Sequence, residues 1–597
     1  MKKLILTLFV VLTTTAAWAV KTDRTPTLIT QSDGTQVTVI GFGDADFHWY
    51  TTTDGVLLYK EGTNFYVAVI EANGEMTSSG MLVHETSQRT DGEKALITKQ
   101  NKTAFFNSQS QKMKGMRKVE PIGTSADGIA YFPHTGSPKA IVILAEFQDS
   151  VFHNTYDDTR AIFNSYLNAE SKPTGVENDN TVSSNYGSIR KYFSDMSNRQ
   201  YTPQFDVYGP VKLSRELKYY GEGKDDYMSR FIPEVCSLAD ELIDYSQYDA
   251  NNDGNVDLVY VIYAGYAASY KQNSTDCIWP KSGTINGGTY DGKKICRYGV
   301  HAELNAYPGA WSTGKYHRIS GAGLFCHEFS HTLGLPDLYY TGSAPYDDCD
   351  MEYWDLMDLG EYTGNGYYPT AYTAWEREVM GWSSIETLTD EMKGQVVLEN
   401  IDEGGKSYRI LNEAQANGHE YFILQNIQKT GWNSKLYGHG MLITHVDYAY
   451  NNTNLHDYPN SSRTHPRATI VPADGLLISA YSVKENEYPT QADFINSLGG
   501  DPYPGTSKVT EIASFKVYTS DNDDNLLHKP IYNIQETDGV ITFDYLETTT
   551  AIQAIETADV QSTNERIYTI DGRLVNATKD RLPKGIYIIG NKKVVIK

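Results

Sequence analysis

Apolar residues in this chain come in short runs, and the spacing inside the runs changes along its length. Residues 36–40 and 65–70 alternate apolar with polar positions between Gly, Asp and Thr turns, which predicts strands of a small β-rich domain. Residues 91–128 are polar, with Lys and Gln clusters, and read as an exposed linker open to cleavage. The runs AIVILA (140–145) and LVYVIYA (258–264) are continuously apolar, as buried strands are. Residues 186–193 have helical spacing, so helices and strands mix in this part. From about residue 385 short strands return at 395–398, 421–426, 441–446, 531–534 and 540–545, the pattern of a β-sandwich-like module. Past a polar stretch, 567–575, 582–589 and 593–597 are three more strand-like runs. The expected fold is multidomain α+β. Its parts are a β-rich domain with linker (20–130), a mixed central domain (131–385), a β-rich accessory domain (386–547), a linker (548–565) and a small all-β tail (566–597).

The strongest helical element covers about 321–333, where Leu324, Phe325, His327, His331 and Leu335 recur at helical intervals and Gly334 offers a left-handed stop. His327 and His331 lie one turn apart on one face, so their ring nitrogens can converge on a single zinc ion at about 2.0 to 2.1 Å. Glu328 projects beside them and can act as the base toward metal-activated water. Because Gly334 lets the chain reverse, Asp337 can supply a third ligand; Glu352 and Glu376, on a possible downstream helix, are the alternatives. The implied activity is hydrolysis of peptide bonds in proteins by a zinc endopeptidase. The competing class is a secreted adhesin or glycan-binding protein on the same scaffold, and intact Glu328 weighs against it, since a retired site has no need of that carboxylate.

Composition narrows the setting. The 597 residues carry 51 basic and 75 acidic side chains, a formal charge of −24, which argues against a nucleic-acid partner and against steering to an anionic membrane. Lys2 and Lys3, the apolar run 4–12 and Ala17-Trp18-Ala19 read as a signal peptide (1–19), too short to span roughly 30 Å of hydrocarbon. Secretion follows, with no integral membrane segment after its removal. The five cysteines are an odd number; Cys277 and Cys296 flank the Gly-rich segment 283–292 and could close a hairpin, while Cys326 reads as a small buried hydrophobe. Asp249, Asn251, Asp253 and Asp257 alternate around Gly254 like the first positions of a calcium loop, although Tyr260 stands where an EF-hand carries glutamate. A structural calcium is expected there, with an Asx-rich turn as the alternative. His439, His445, Asp447 and His465 have no recurring metal-site spacing and read as packing or surface groups.

Taken together, HEFSHTLGLPDLY, WDLMD and AIVILAEFQD resemble the immune inhibitor A family of secreted bacterial metallopeptidases. The similarity runs on through YDANNDGNVDLVYVIYAG, CIWPKSG, EYFILQN, GHGMLITHVD and IVPADG, over most of 130–546. It implies a zincin catalytic domain of metzincin-like fold, with an HExxHxxGxxD motif in which Asp337 replaces the final histidine. It further implies a methionine turn with Met357 as the floor beneath the zinc, calcium stabilisation, and a zymogen whose propeptide is 20–130. Residues 566–597 resemble the C-terminal sorting domain of the type IX secretion system, which implies that machinery as a partner and export through the periplasm to the exterior or outer surface. The N-terminal domain has no cysteine, so latency cannot use a thiol; Asp44, Asp46 or His48 are candidates, and a steric plug is the plainer alternative.

Overall fold

The structure is a computed structural model. It describes residues 27–43, 48–61, 64–102, 104–105, 108, 129–152, 158–173, 185–221, 227–267, 277–278, 280–305, 318–339, 349–415, 418–448, 459–460, 462–477, 497–520, 524–548, 567–570, 573–575, 581–589 and 592–596. The expected signal peptide, Asp44, Asp46 and nearly all of the 548–565 linker lie outside these residues, and the His48 side chain is also not described.

Six antiparallel strands between Thr27 and Leu82 pair in chain order, forming a sheet with small cores of its own around Val37, Leu58 and Val67 and around Trp49 and Phe105. The polar stretch that follows is not all linker. Asp91–Ile97 forms a helix, α1, whose N-terminus is closed by a Thr90–Glu93 capping box. Glu93 also accepts from the His84 backbone N–H, tying the helix to the end of the sheet.

The central domain is built on one sheet. Its strands are β1 (Lys139–Glu146), β2 (Gln204–Lys212), β3 (Val259–Tyr266), β4 (Lys281–Thr284) and β5 (Arg297–Asn305), in the order β4-β5-β3-β1-β2. Neighbours in that order are parallel except β4, which runs antiparallel to β5; a sixth, two-residue strand, Arg318–Ile319, also pairs antiparallel with the far end of β5. A mostly parallel sheet needs cover on both faces, which is why β1 and β3 are continuously apolar. Ala140, Val142 and Leu144 of β1 enter one core; Ile141, Ile143 and Ala145 enter the other. The second core is closed by α4 (Tyr227–Ala239), whose Tyr227, Met228, Phe231, Ile232, Val235, Cys236 and Ala239 follow the helical period. The first is closed by α2 (Thr159–Asn168), α3 (Ile189–Met196) and α5 (Ala322–Leu333). Phe325 of α5 stacks on Tyr260 at 4.1 Å between ring centres, which fixes α5 against the sheet.

The boundary near residue 385 is not a gap in packing. After α6 (Ala374–Val379) come β6 (Gly394–Leu398), β7 (Tyr408–Leu411), β8 (Glu420–Ile427), β9 (Gly440–Asp447), β10 (Ala468–Ile470), β11 (Ile531–Thr537) and β12 (Val540–Tyr545). One sheet holds β7 to β10 in chain order, the other β6-β12-β11. Phe422 and Leu424 of β8 face the second sheet, sharing a core with Ile531 and Phe543, while Tyr421, Ile423 and Ile427 face the α5 side and join its core. Ion pairs Arg377–Asp402 and Glu378–Arg409 reinforce that seam from α6. The tail forms a four-stranded sheet, because the run 567–575 folds as two strands rather than one. No helix among the described residues is long and apolar enough to cross a membrane.

A buried acid pair crosses the same seam. Trp354 Nε1 donates to Asp501 Oδ2 at 2.9 Å, and the Glu352 side chain also hydrogen-bonds Asp501. Burial pushes the Asp501 carboxyl above the usual carboxylate range, against the pull of those two bonds. A carboxyl raised on folding stabilises fully below its unfolded value of about 3.9, and that contribution is lost as pH climbs through the folded value. Asp501→Asn removes that contribution, so the variant's thermal midpoint should gain on that of wild type as pH rises from about 4 toward neutrality. A constant difference between variant and wild type across that range would show that Asp501 does not titrate on folding in this way.

Candidate metal centre

The α5 helix is buried on nearly every side, with His331 the one half-buried residue. Gly334, at φ 107°, closes it in a left-handed cap, its N–H reaching the His331 and Ser330 carbonyls. Leu335 N–H then bonds Ser330 O at 3.1 Å, and the chain doubles back so that Asp337 faces the histidines. Three atoms converge there. His327 Nε2 and His331 Nε2 are 3.2 Å apart, and Asp337 Oδ1 lies 3.2 Å and 3.1 Å from them. Ligands bound tetrahedrally at 2.0 to 2.1 Å would stand about 3.3 Å apart, so the triangle has the size a zinc ion asks for.

The outer ring nitrogens are engaged as metal-binding histidines require. His327 Nδ1–H donates to Leu356 O at 3.0 Å and His331 Nδ1–H to Leu335 O at 2.7 Å, which leaves each Nε2 its lone pair. Asp337 Oδ1 has no hydrogen-bond partner other than these rings. Burial works against charge on His327, yet the Glu361 and Asp337 carboxylates raise it above its ordinary range. His331 is raised likewise, by Asp337 against burial. A field that favours protons on these rings favours any cation placed between them. Burial pushes Glu328 up to about 7 against the pull of the His327 and His331 charges, so its carboxyl can both take and return a proton near neutrality.

The loop carrying Met357 supports the site through its backbone. Leu356 O receives His327, Met357 O receives Leu338 N–H at 2.9 Å, and Asp355 Oδ1 fixes Met357 N–H at 2.8 Å. One turn thus anchors the first histidine and the residue after Asp337. The segment that enters the domain is pinned nearby, with Phe132 N–H on Thr332 O at 2.9 Å and the Arg297 guanidinium on the Ile129 and Ala130 carbonyls.

Other expected site residues go elsewhere. Glu352 turns to Asp501, and Glu376 caps α6 through Thr373 N–H at 2.7 Å, so neither alternative third ligand joins the histidines. Asp249 accepts the Asp253 and Gly254 N–H groups at 3.0 Å each, and Lys293 Nζ sits 2.6 Å from its Oδ2. The calcium-like loop is thus closed as an Asx turn with the protein's own ammonium against its innermost carboxylate, and Asp257 caps Ala250 N–H. Among the described residues, His327, His331 and Asp337 are the one group of three or more whose His, Cys, Asp or Glu ligand atoms all come within 4.8 Å of one another. His439 pairs with Glu536, His445 with Glu420 and His465 with Asp447, which spreads them over three carboxylates. The hairpin disulfide does not form: all five cysteines are thiols, and Cys296 donates to Asn255 Oδ1 at 3.3 Å.

Two imidazoles and a carboxylate on a helix and its following turn, with a second carboxylate beside them, form a candidate metal centre with the residue types that metallopeptidases use. Residues 130–383 match the model of the immune inhibitor A peptidase M6 catalytic domain. The chain is similar to the pre-pro-metalloprotease PrtV of Vibrio cholerae serotype O1, 26% identical over 280 residues, 40% of this chain and 29% of that protein. It is also similar to Immune inhibitor A of Bacillus thuringiensis subsp. alesti, 22% identical over 282 residues, 42% of this chain and 40% of that one. The matched stretch therefore spans less than half of either relative's length.

Proposed function

We propose that this chain is a secreted, zinc-dependent endopeptidase of metzincin-like fold, made as a zymogen. The observation that carries the proposal is the tight triangle of two Nε2 atoms and one carboxylate oxygen with Glu328 alongside. His327, His331 and Asp337 would hold the zinc, which when bound supplies Lewis-acid activation of water and of the scissile carbonyl. Glu328 takes the proton of the attacking water on its carboxylate and returns it to the leaving amine nitrogen. Met357, buried in the core with its backbone tied to Asp355 and Leu338, would be the floor beneath this centre.

Strand β4 is the last strand in the described order of the sheet and touches α5. An extended peptide that pairs with its outer edge would lie beside the triad, held by backbone hydrogen bonds that orient any sequence. Residues 1–19 direct export, 20–130 serve as propeptide, and 566–597 deliver the chain to the type IX machinery and thence to the exterior or outer surface. The name of the pre-pro-metalloprotease relative supports the zymogen step.

The processed, secreted form is expected to digest casein, to lose that activity in a zinc chelator and to regain it with added zinc. Digestion at an undiminished rate after complete removal of metal would overturn the proposal.

A further inference from the structure

Asn460 is a fully buried polar side chain that neither the ligand triangle nor the proton transfer uses. It stands shortly before β10, within the stretch expected from the sequence to be a separate accessory domain. Its amide carries two donor hydrogens and one acceptor oxygen, and all are engaged. Oδ1 accepts the Arg467 and Ala468 N–H groups at 2.8 Å and 3.1 Å, and Nδ2 donates to Ala468 O at 2.7 Å. The other Nδ2 hydrogen crosses to the metal centre and is donated to Leu338 O at 2.6 Å. Reversing the amide would set its oxygen against two carbonyls, so the partners fix its orientation.

Leu338 directly follows Asp337 in a stretch of irregular backbone past the end of α5, where no helical ladder holds the chain. Its N–H is taken by Met357 O at 2.9 Å and its carbonyl by Asn460. Both peptide groups that flank Leu338 are therefore clamped, one from the Met357 turn and one from a side chain 122 positions further along the chain. Leu338 is 1% exposed, so water cannot stand in for a lost donor. Without Asn460 the turn would have to be ordered when the metal binds, at a cost in affinity.

We propose that Asn460 is a positioning residue that holds the turn aiming Asp337 at His327 and His331, which makes the strands after residue 385 part of the metal centre. The inference rests on the metallopeptidase function proposed above.

The test compares full-length wild type with Asn460→Ala, Asn460→Asp and Thr469→Val, reading zinc affinity by chelator competition at pH 8. Thr469→Val is the control, because its Oγ1 bond to Asp350 O crosses the same seam without touching the Asp337 turn. Both Asn460 variants should bind zinc about 10-fold more weakly, as loss of an outer partner does, and Thr469→Val should match wild type. Added zinc should restore kcat/KM in the Asn460 variants, which a merely structural defect would not allow. Unchanged affinity in the Asn460 variants, or an equal loss in Thr469→Val, would overturn the inference.

Wild type alone decides the matter if the Asn460 variants do not fold. Coupling between sites is reciprocal, so zinc should slow hydrogen exchange over residues 462–470, whose Arg467 and Ala468 N–H groups rest on Asn460. Slowing confined to 322–338 and 355–357 would overturn the inference. A wild type that binds no zinc would instead overturn the metallopeptidase function itself, and this inference with it.

Discussion

Replacing Glu328 with glutamine is expected to lower kcat/KM for protein hydrolysis by about 100-fold or more while zinc binding is retained. Glutamine fills the same buried space beside the histidines but cannot accept the water proton, so only the proton transfer is lost. Zinc content should stay at wild-type level because Glu328 is outside the converging triangle. Rates on a fluorescent casein, with zinc measured on the same preparation, decide it. A variant that keeps activity within a few-fold of wild type would remove Glu328 from the mechanism.

The second large effect belongs to Asp337. Asp337→Ala should weaken zinc by more than the roughly 100-fold that an outer-partner loss costs, since it removes a ligand outright. It should abolish digestion at ordinary zinc concentrations. Glu352→Gln and Glu376→Gln should leave zinc affinity unchanged, because those carboxylates are held by Asp501 and by the α6 cap. Competition with a calibrated chelator across the four proteins reads this directly. Zinc retained in Asp337→Ala and lost in either glutamate variant would move the third ligand elsewhere.

Much of this geometry was legible in the residues. The helix over 321–333, its glycine stop and the face shared by His327 and His331 follow from periodicity and capping alone, and the helix is found at Ala322–Leu333. The buried strands at 140–145 and 258–264 were equally clear, because continuous apolar runs of that length fit a sheet covered on both faces. Helix α1 was missed, although Thr90 and Glu93 spell the capping-box signature; the polar composition around it outweighed that signal. Lys293 could not be found from the calcium-like spacing, since it approaches Asp249 from 44 positions further along the chain.

The chain by itself therefore determined what a local rule can encode: which residues share a helical face, where that helix must stop, and which runs are buried. Helical pitch puts His327 and His331 on one face and the φ freedom of one glycine lets Asp337 turn toward them, although the residues alone left Glu352 and Glu376 open as third ligands. Only the tertiary structure decided which distant groups complete the site. The Leu356 carbonyl that orients His327 and the Lys293 ammonium that closes the Asp249 loop come from separate segments. Burial sets the electrostatic weight of each, and burial belongs to the packed fold, not to the order of residues along it.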